Sequence, residues 1–228
     1  MCCSCERVIK WGSVLLVVGA LFVGGVRFWL EEKSYVFSAD KMARLTNEVL
    51  NTSIGKGHNE TFRAVEELLR ERYPDHILPS SQTEWIFVNA GGWMGAMYLL
   101  HASLTEYVLF FGTVIDTSGH SGRYWAEISD TIIAGKFVQW KEGTTEVNVY
   151  YAGDTVLHGV GETTAVQWTA PFWAVEYGRG FIPSTLGFAL SDSLFSTQDF
   201  VIIYKTFKIY TIAIVHGWFH SLQQLLMF

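Results

Sequence analysis

The sequence predicts an α+β membrane protein: one N-terminal membrane-spanning helix, a block of short β-strands closing into a barrel or sandwich, and helices again at the C-terminus. Three observations predict it. Residues 11–30, "WGSVLLVVGALFVGGVRFWL", make an apolar run about one bilayer long at ~1.5 Å rise per residue. From about residue 85 to 178, β-branched and aromatic runs alternate with turn clusters at roughly 8–12-residue spacing. After Pro183, a fitting first-turn residue, the pattern returns to helix.

Composition agrees. The chain has 228 residues, of which 50% are hydrophobic and only 17% charged, low for a soluble protein. A net charge of -6 and the lack of any basic patch or stacking motif exclude nucleic acid as a partner. Cys2, Cys3 and Cys5 all lie in the first five residues, so no disulfide holds the folded part. Cysteines beside a membrane helix are candidates for palmitoylation. Free thiols in a tail are the plainer reading.

Residues 1–10 are a tail and 11–30 the membrane helix. Arg27 alone is charged there, close enough to the end to snorkel, and Trp11 and Trp29 sit as interfacial anchors. No small-x-small cleavage site precedes the polar flank, so the helix is retained rather than removed as a signal peptide. Arg7, Lys10 and the amino terminus precede it, and Arg27 and Lys33 follow. That slight asymmetry points to a cytosolic N-terminus and a lumenal body.

Residues 31–80 form a helical connector. Ser38 caps one helix and Asn59 a second, whose Phe62, Val65, Leu68 and Leu69 share a face. The β-block fills 81–180. Its stretch 86–104 has no charge and reads as buried core. A second span is the alternative, weakened by Asn89, His101 and the paired glycines. In 181–228, "STQD" starts a helix with Ser196 as cap and Asp199 three residues on. The following "FVIIYKTFKIYTIAIVHGWF" is long enough to span. Lys205, Lys208 and His216 interrupt it, so it reads as a helix lying in the membrane interface.

The chemistry concentrates in two strands. In "YWAEISDTII", alternation puts Tyr124, Ile128, Asp130 and Ile132 on one face. In "WAVEYGRG", Glu176 shares a face with Phe172 and Ala174. Each acid is the lone carboxylate on an apolar face. An unpartnered buried carboxylate costs several kcal/mol. Two close ones can share a proton, which raises one pKa. Such a pair carries one net charge in a greasy cavity, suiting a cation with apolar groups or acid–base chemistry on an apolar substrate. The alternative is that each acid is satisfied by backbone amides or a tyrosine. In "TEYVLFFGTV", Tyr107, Leu109 and Phe111 share a face, and Tyr107 is positioned to orient a carboxylate. His101, His120 and His158 are scattered without metal-ligand spacing, so no metal and no cofactor are expected. Gly91 and Gly95 of "GGWMG" suit either an unusual turn or close packing between subunits.

Four strings, "WIFVNAGGWMGAM", "LLHASLTEYVLFFGT", "GHSGRYWAEISDTI" and "VEYGRGFIPSTLGFAL", closely resemble the sigma-1 receptor family, which includes the fungal sterol C-8 isomerase. The resemblance covers most of residues 34–210. It implies a cupin-like β-barrel as the ligand-binding domain, covered by membrane-surface C-terminal helices. It implies a homotrimer or higher oligomer in the endoplasmic reticulum membrane, the nuclear envelope and the plasma membrane. By resemblance, Glu176 pairs with the basic amine of a ligand, a protonated Asp130 shares a hydrogen bond with it, and Tyr107 supports it. The implied pocket lining is Val88, Trp93, Met97, Leu99, Leu109 and Phe111, with Tyr124, Ile128, His158, Trp168, Thr185, Leu186, Ala189 and Tyr210. Gly91, Gly92, Gly95 and Trp140 match oligomer contacts. The implied ligands are amphiphilic cations, steroids or sphingolipid-like lipids. The implied protein partners are ion channels, the inositol trisphosphate receptor and a lumenal heat-shock chaperone. The implied activity is that of a receptor and chaperone rather than an enzyme; a sterol isomerase using Asp130 and Glu176 as acid and base is the alternative. The family's paired N-terminal arginines are replaced by "CERVIK", and the chain diverges after about residue 211.

Topology gives a first test. "NTS" at Asn51 and "NET" at Asn59 are glycosylation sequons. With a lumenal body, expression in vertebrate cells yields a glycosidase-sensitive mobility shift that Asn51→Gln and Asn59→Gln together abolish. No shift there, and none at a sequon engineered near the C-terminus, contradicts the orientation.

Overall fold

The structure is a computed structural model that describes residues 3–226, with side chains over 10–219. Cys2, and the side chains of Cys3 and Cys5, lie outside the described residues. The chain divides into two units, Met1–Tyr35 and Val36–Phe228. The first is helix α1 (Cys3–Glu32). Its stretch Lys10–Glu32 is long and apolar enough to cross a membrane. Leu15, Leu16, Leu21 and Phe22 are exposed along it, as lipid-facing side chains are.

The second unit opens with helices α2 (Ala39–Thr52) and α3 (His58–Arg72). Ser38 caps α2 as expected, accepting from the Lys41 amide at 3.4 Å. Asn59 does not cap α3. The helix starts one residue before it, and Gly57 takes the cap position in extended backbone with no side-chain bond. Phe62, Val65 and Leu69 are buried on the predicted face. Both sequon asparagines are exposed and lie within helices.

Eight antiparallel strands follow: β1 (Trp85–Ala90), β2 (Trp93–Ala102), β3 (Glu106–Thr113), β4 (Thr117–His120), β5 (Ala126–Lys141), β6 (Val147–Tyr151), β7 (Thr155–His158) and β8 (Thr164–Gly180). The uncharged stretch 86–104 is thus strand β1, a hairpin turn and β2. Gly91 and Gly92 make that turn with φ of 58° and 87°. Positive φ at both central residues is the two-residue hairpin geometry that glycine permits at no steric cost.

The long strands β5 and β8 form the central ribbon, paired from Ala126↔Gly180 to Lys141↔Thr164. Neither flank is one strand. β3 pairs with the C-terminal half of β8 and β4 with its N-terminal half. Likewise β7 pairs with the first half of β5 and β6 with the second. The ribbon bends between its halves, where the register shifts around Ala134. The sheet therefore curls, and side chains of non-neighbouring strands meet inside it. Trp93 of β2 lies edge-on to Trp168 of β8 at 5.3 Å, and Phe137 of β5 stacks on Trp168 at 5.5 Å.

Alternation gives each strand two buried faces. Ile128, Ile132, Phe137, Phe172 and Ala174 enter the inner core. Val108, Phe110, Ile133, Val175 and Tyr177 face outward, where α2 and α3 cover them as a second core. The strands accordingly read as nearly continuous apolar runs. The inner core is closed by helix α4 (Pro183–Phe195), with Pro183 in its first turn, and helix α5 (Phe200–Leu226). Asp199 caps α5, accepting from the amides of Val201 and Ile202 at 3.1 Å each. Ser196 instead ends α4, so the expected cap falls three residues too early. Ile202, Thr206, Ile209 and Ala213 form one buried stripe that seats α5 against β1 and β2. Phe200, Val201, Tyr204 and Phe207 on its other side are exposed.

Glu106 ties the start of this unit to the sheet. It is buried and accepts from the amides of Val36 at 3.0 Å and Phe37 at 3.2 Å, while the Tyr177 hydroxyl donates to it at 3.4 Å. Removing the carboxylate orphans the buried Phe37 amide, at about 1–3 kcal/mol, and the half-buried Val36 amide at less. Glu106→Ala is therefore expected to lower the thermal midpoint by several degrees, and Glu106→Gln, which keeps one acceptor oxygen, by less. Equal midpoints for wild type and Glu106→Ala contradict the tie.

Candidate functional site

The pairing of β5 with β8 sets Asp130 directly opposite Glu176. Directly opposed residues on one face have Cβ atoms about 4.5–5.5 Å apart, so the two carboxyls confront each other. On its other side Glu176 is opposite Leu109 of β3. Both acids point into the inner core, lining a cavity of about 120 Å³.

Tyr107 reaches Glu176 diagonally. It pairs with Gly178, two residues beyond the acid on the same face, and its hydroxyl donates to Glu176 Oε1 at 2.5 Å. Gly178 makes that reach possible. A Cβ there would stand 2.3 Å from Tyr107 Cε1. The glycine of "EYG" thus clears a slot for the ring that aims its hydroxyl at the acid.

Burial, then the nearby charge of Asp130, push the Glu176 carboxyl well above the usual carboxylate range, and only the Tyr107 hydrogen bond opposes them. What surface Glu176 keeps lies in the cavity rather than in bulk water. Burial first and Glu176 second raise the Tyr107 phenol, which stays a donor. Two opposed carboxyls with one neutralised by its surroundings form a pair holding one proton. Asp130 faces His158, with Oδ2 3.6 Å from Nε2, and its buried Oδ1 has no hydrogen-bond partner among the described residues.

The surroundings are aromatic and aliphatic. Of the expected lining, Val88, Trp93, Met97, Leu109, Phe111, Tyr124, Ile128, His158, Trp168, Thr185, Ala189 and Tyr210 all border the cavity. Leu99 and Leu186 do not. Leu99 is fully buried beside the irregularity between Leu99 and His101, and Leu186 is half-buried on α4. Ala90, Ser121, Val166 and Phe188 also line the cavity and were not anticipated. Ala90, Val166 and Phe188 could have been found from strand and helix periodicity; Ser121 sits in a loop that no periodicity reaches. Thr185, Phe188 and Ala189 come from α4 and Tyr210 from α5, so these helices form the cavity's cover. The volume is below the roughly 300–1,000 Å³ of pockets for drug-sized ligands, so a bulky ligand enters only as covering side chains swing out.

Within the chain, Gly91 is packed internally. A Cβ there would meet the His120 carbonyl at 2.4 Å and the Phe188 ring at 2.8 Å. Gly95 lies under Gly112 and Phe111. The Gly92 amide donates to Asp192 of α4 at 3.0 Å. Trp140, by contrast, is half exposed near the free edge strand β6. Gly91 and Gly95 thus meet neighbours inside the chain, whereas a Cβ at Gly92 would enter open space.

The family model described as ERG2 and Sigma1 receptor like protein matches residues 13–221. The chain belongs to this family. It is 58% identical over 200 residues to the sigma non-opioid intracellular receptor 1 of Danio rerio, covering 87% of this chain and 88% of that protein. The Xenopus tropicalis receptor of the same name is 58% identical over 199 residues, 87% of this chain and 88% of that one. The Gallus gallus receptor is 58% identical over 192 residues, with 84% and 85% covered. These relatives are named as receptors. Among solved structures, an RmlC-like cupin from Shewanella frigidimarina matches 45% of this chain and 86% of its own, at 14% identity and a TM-score of 0.36. KdgF from Halomonas sp. matches 46% and 92%, at 11% identity and 0.38. Likenesses of this size identify neither ligand nor activity.

The geometry sets the order of two substitutions. Asp130→Asn keeps a donor toward Glu176, so amine affinity falls only a few-fold. Asp130→Ala removes it and leaves a hole, and affinity falls by about tenfold or more. An Asn variant as inactive as Glu176→Gln in equilibrium binding means that Asp130 carries a charge the ligand needs.

Proposed function

We propose that the chain is a ligand-operated membrane receptor and chaperone that binds amphiphilic amines, steroids or lipids inside the barrel, with the ligand's cation at Glu176. One observation carries this reading: two directly opposed carboxyls line a cavity whose other walls are mostly aromatic and aliphatic. That pair presents one negative charge in a dry site. A buried anion lacking its counter-ion is expensive, and an arriving ammonium supplies the missing charge. The shared proton then passes to Asp130, leaving Glu176 ionised against the amine and still held by Tyr107. The apolar walls take the ligand's hydrocarbon.

The same reading places the chain in the endoplasmic reticulum membrane, with the exposed aromatic face of α5 against lipid. Homo-oligomerisation is supported by the apolar surface beside the β6 edge, where Trp140, Val147, Val149 and Tyr151 are exposed. The second reading is a sterol isomerase in which Asp130 and Glu176 supply the acid and the base between them. The raised Glu176 carboxyl favours it, since a carboxyl held above the usual carboxylate range is a better-placed proton donor. The receptor names of the relatives favour the first. Complementation of a sterol-isomerase-deficient yeast, with product analysis, separates them: growth with isomerised sterol establishes the enzyme.

Glu176→Gln keeps shape and a carbonyl but fixes the neutral form. The loss expected from truncating one side of a buried ion pair is ~3–5 kcal/mol, more than about a hundredfold in affinity. Radioligand binding of a cationic amphiphile, with a thermal melt to confirm folding, measures it. Near-native affinity in a folded variant removes the site assignment.

A further inference from the structure

The antiparallel α2–α3 hairpin carries a second concave site, of about 490 Å³, that the amine cavity does not involve. Lys41 and Arg44 reach it from the first turns of α2, and Arg72 and Tyr73 from the end of α3; Glu48 and Leu45 complete the wall. All three cations are exposed. Among the described residues none of them forms an ion pair, although the chain has 22 acidic residues to 16 basic ones. Three basic groups against one carboxylate leave this concavity positive on a protein whose net charge is -6.

Tyr73 makes the cluster more than a charged surface. Its ring is fixed against Phe37 at 4.6 Å, and its hydroxyl has no protein partner among the described residues. Arg44, Arg72 and Tyr73 line the same concavity; burial raises the phenol, the charges of Arg44 and Arg72 lower it, and that of Glu106 raises it. Two guanidinium groups, an ammonium and a phenol border the one concavity, and all are hydrogen-bond donors. A carboxylate offers two oxygens to such a set, and a phosphate offers three or four at higher charge.

We propose that the concavity between the start of α2 and the end of α3 is a phosphate-binding site, taking a phosphate presented by a membrane lipid or carried by a soluble phosphorylated molecule. Arg44 and Arg72 grip the phosphate oxygens as forks, Lys41 adds a point charge, and Tyr73 donates from the floor. The site is independent of the amine cavity, whose walls are apolar and whose charge is negative.

The test uses the full chain in two arms. In detergent it is titrated with inorganic pyrophosphate. In nanodiscs of phosphatidylcholine with and without phosphatidic acid, bound lipid is counted by native mass spectrometry. Arg44→Gln with Arg72→Gln is compared with Lys56→Gln with Arg63→Gln, an equal charge change at exposed positions outside the concavity. The expected result is a loss of about tenfold or more in the first double variant and little change in the second. Tyr73→Phe, which keeps the ring, loses a few-fold. Loss in the lipid arm identifies a headgroup, and loss in the soluble arm a free phosphate. Wild-type binding by Arg44→Gln with Arg72→Gln in both arms, or equal loss in the two double variants, overturns the proposal. Thermal midpoints confirm that each variant is folded, and Arg44→Lys with Arg72→Lys, which keeps charge but not the forks, is expected to fall between.

Discussion

Two carboxyl groups face each other across one pair of β-strands, inside a protein. Much of the rest of this structure makes that tenable. A ribbon of two long strands holds Asp130 and Glu176 in register, and a one-residue slip of either would turn its acid onto the outer face. β3 supplies the one donor that favours an ionised Glu176, through a tyrosine that fits only because residue 178 is a glycine. The aromatic walls keep the dielectric low, so the pair retains a proton that water would remove. Function and cost come from the same source: the environment that makes the charge expensive also makes it selective for a cation.

The outer face serves the inner one. Strands with both faces buried need a second cover, and α2 and α3 provide it over Val108, Phe110, Val175 and Tyr177. Glu106 joins that cover to the sheet by accepting the amides of residues 36 and 37. It immediately precedes Tyr107 on β3, so neighbouring residues on one strand perform opposite tasks. One side chain fastens the outside and the next orients the acid within.

Periodicity made the site legible because it lies on strands. Alternation in "EISDTI" and "WAVEYG" placed both acids inward, and "TEYVLFF" placed Tyr107 with them. Register is a pairing property that one strand cannot reveal, so the direct opposition of Asp130 and Glu176 emerged only in three dimensions. The role of Gly178 was hidden for the same reason, since a glycine records space but not what fills it. Helix caps were misplaced where two candidates compete: Asp199 outdid Ser196 because α4 runs on to Phe195 and uses Ser196 as its own end. The burial of Glu176 beneath the C-terminal helices also escaped the sequence. Burial raises the Glu176 carboxyl, and that burial depends in part on α4 and α5, helices whose packing over the sheet no strand periodicity reveals.

The central claim is that the pair, before any ligand, carries one negative charge. Calorimetry in buffers of different ionisation enthalpy measures it, with the full chain near neutral pH and an amphiphilic amine whose own pKa lies well above the working pH. A pair that already holds one proton and one charge takes up the cation by moving that proton between its members, so net proton exchange with buffer is close to zero. Release of about one proton per bound amine would mean that both carboxyls were neutral beforehand, and uptake of about one would mean that both were ionised. Either result contradicts the account.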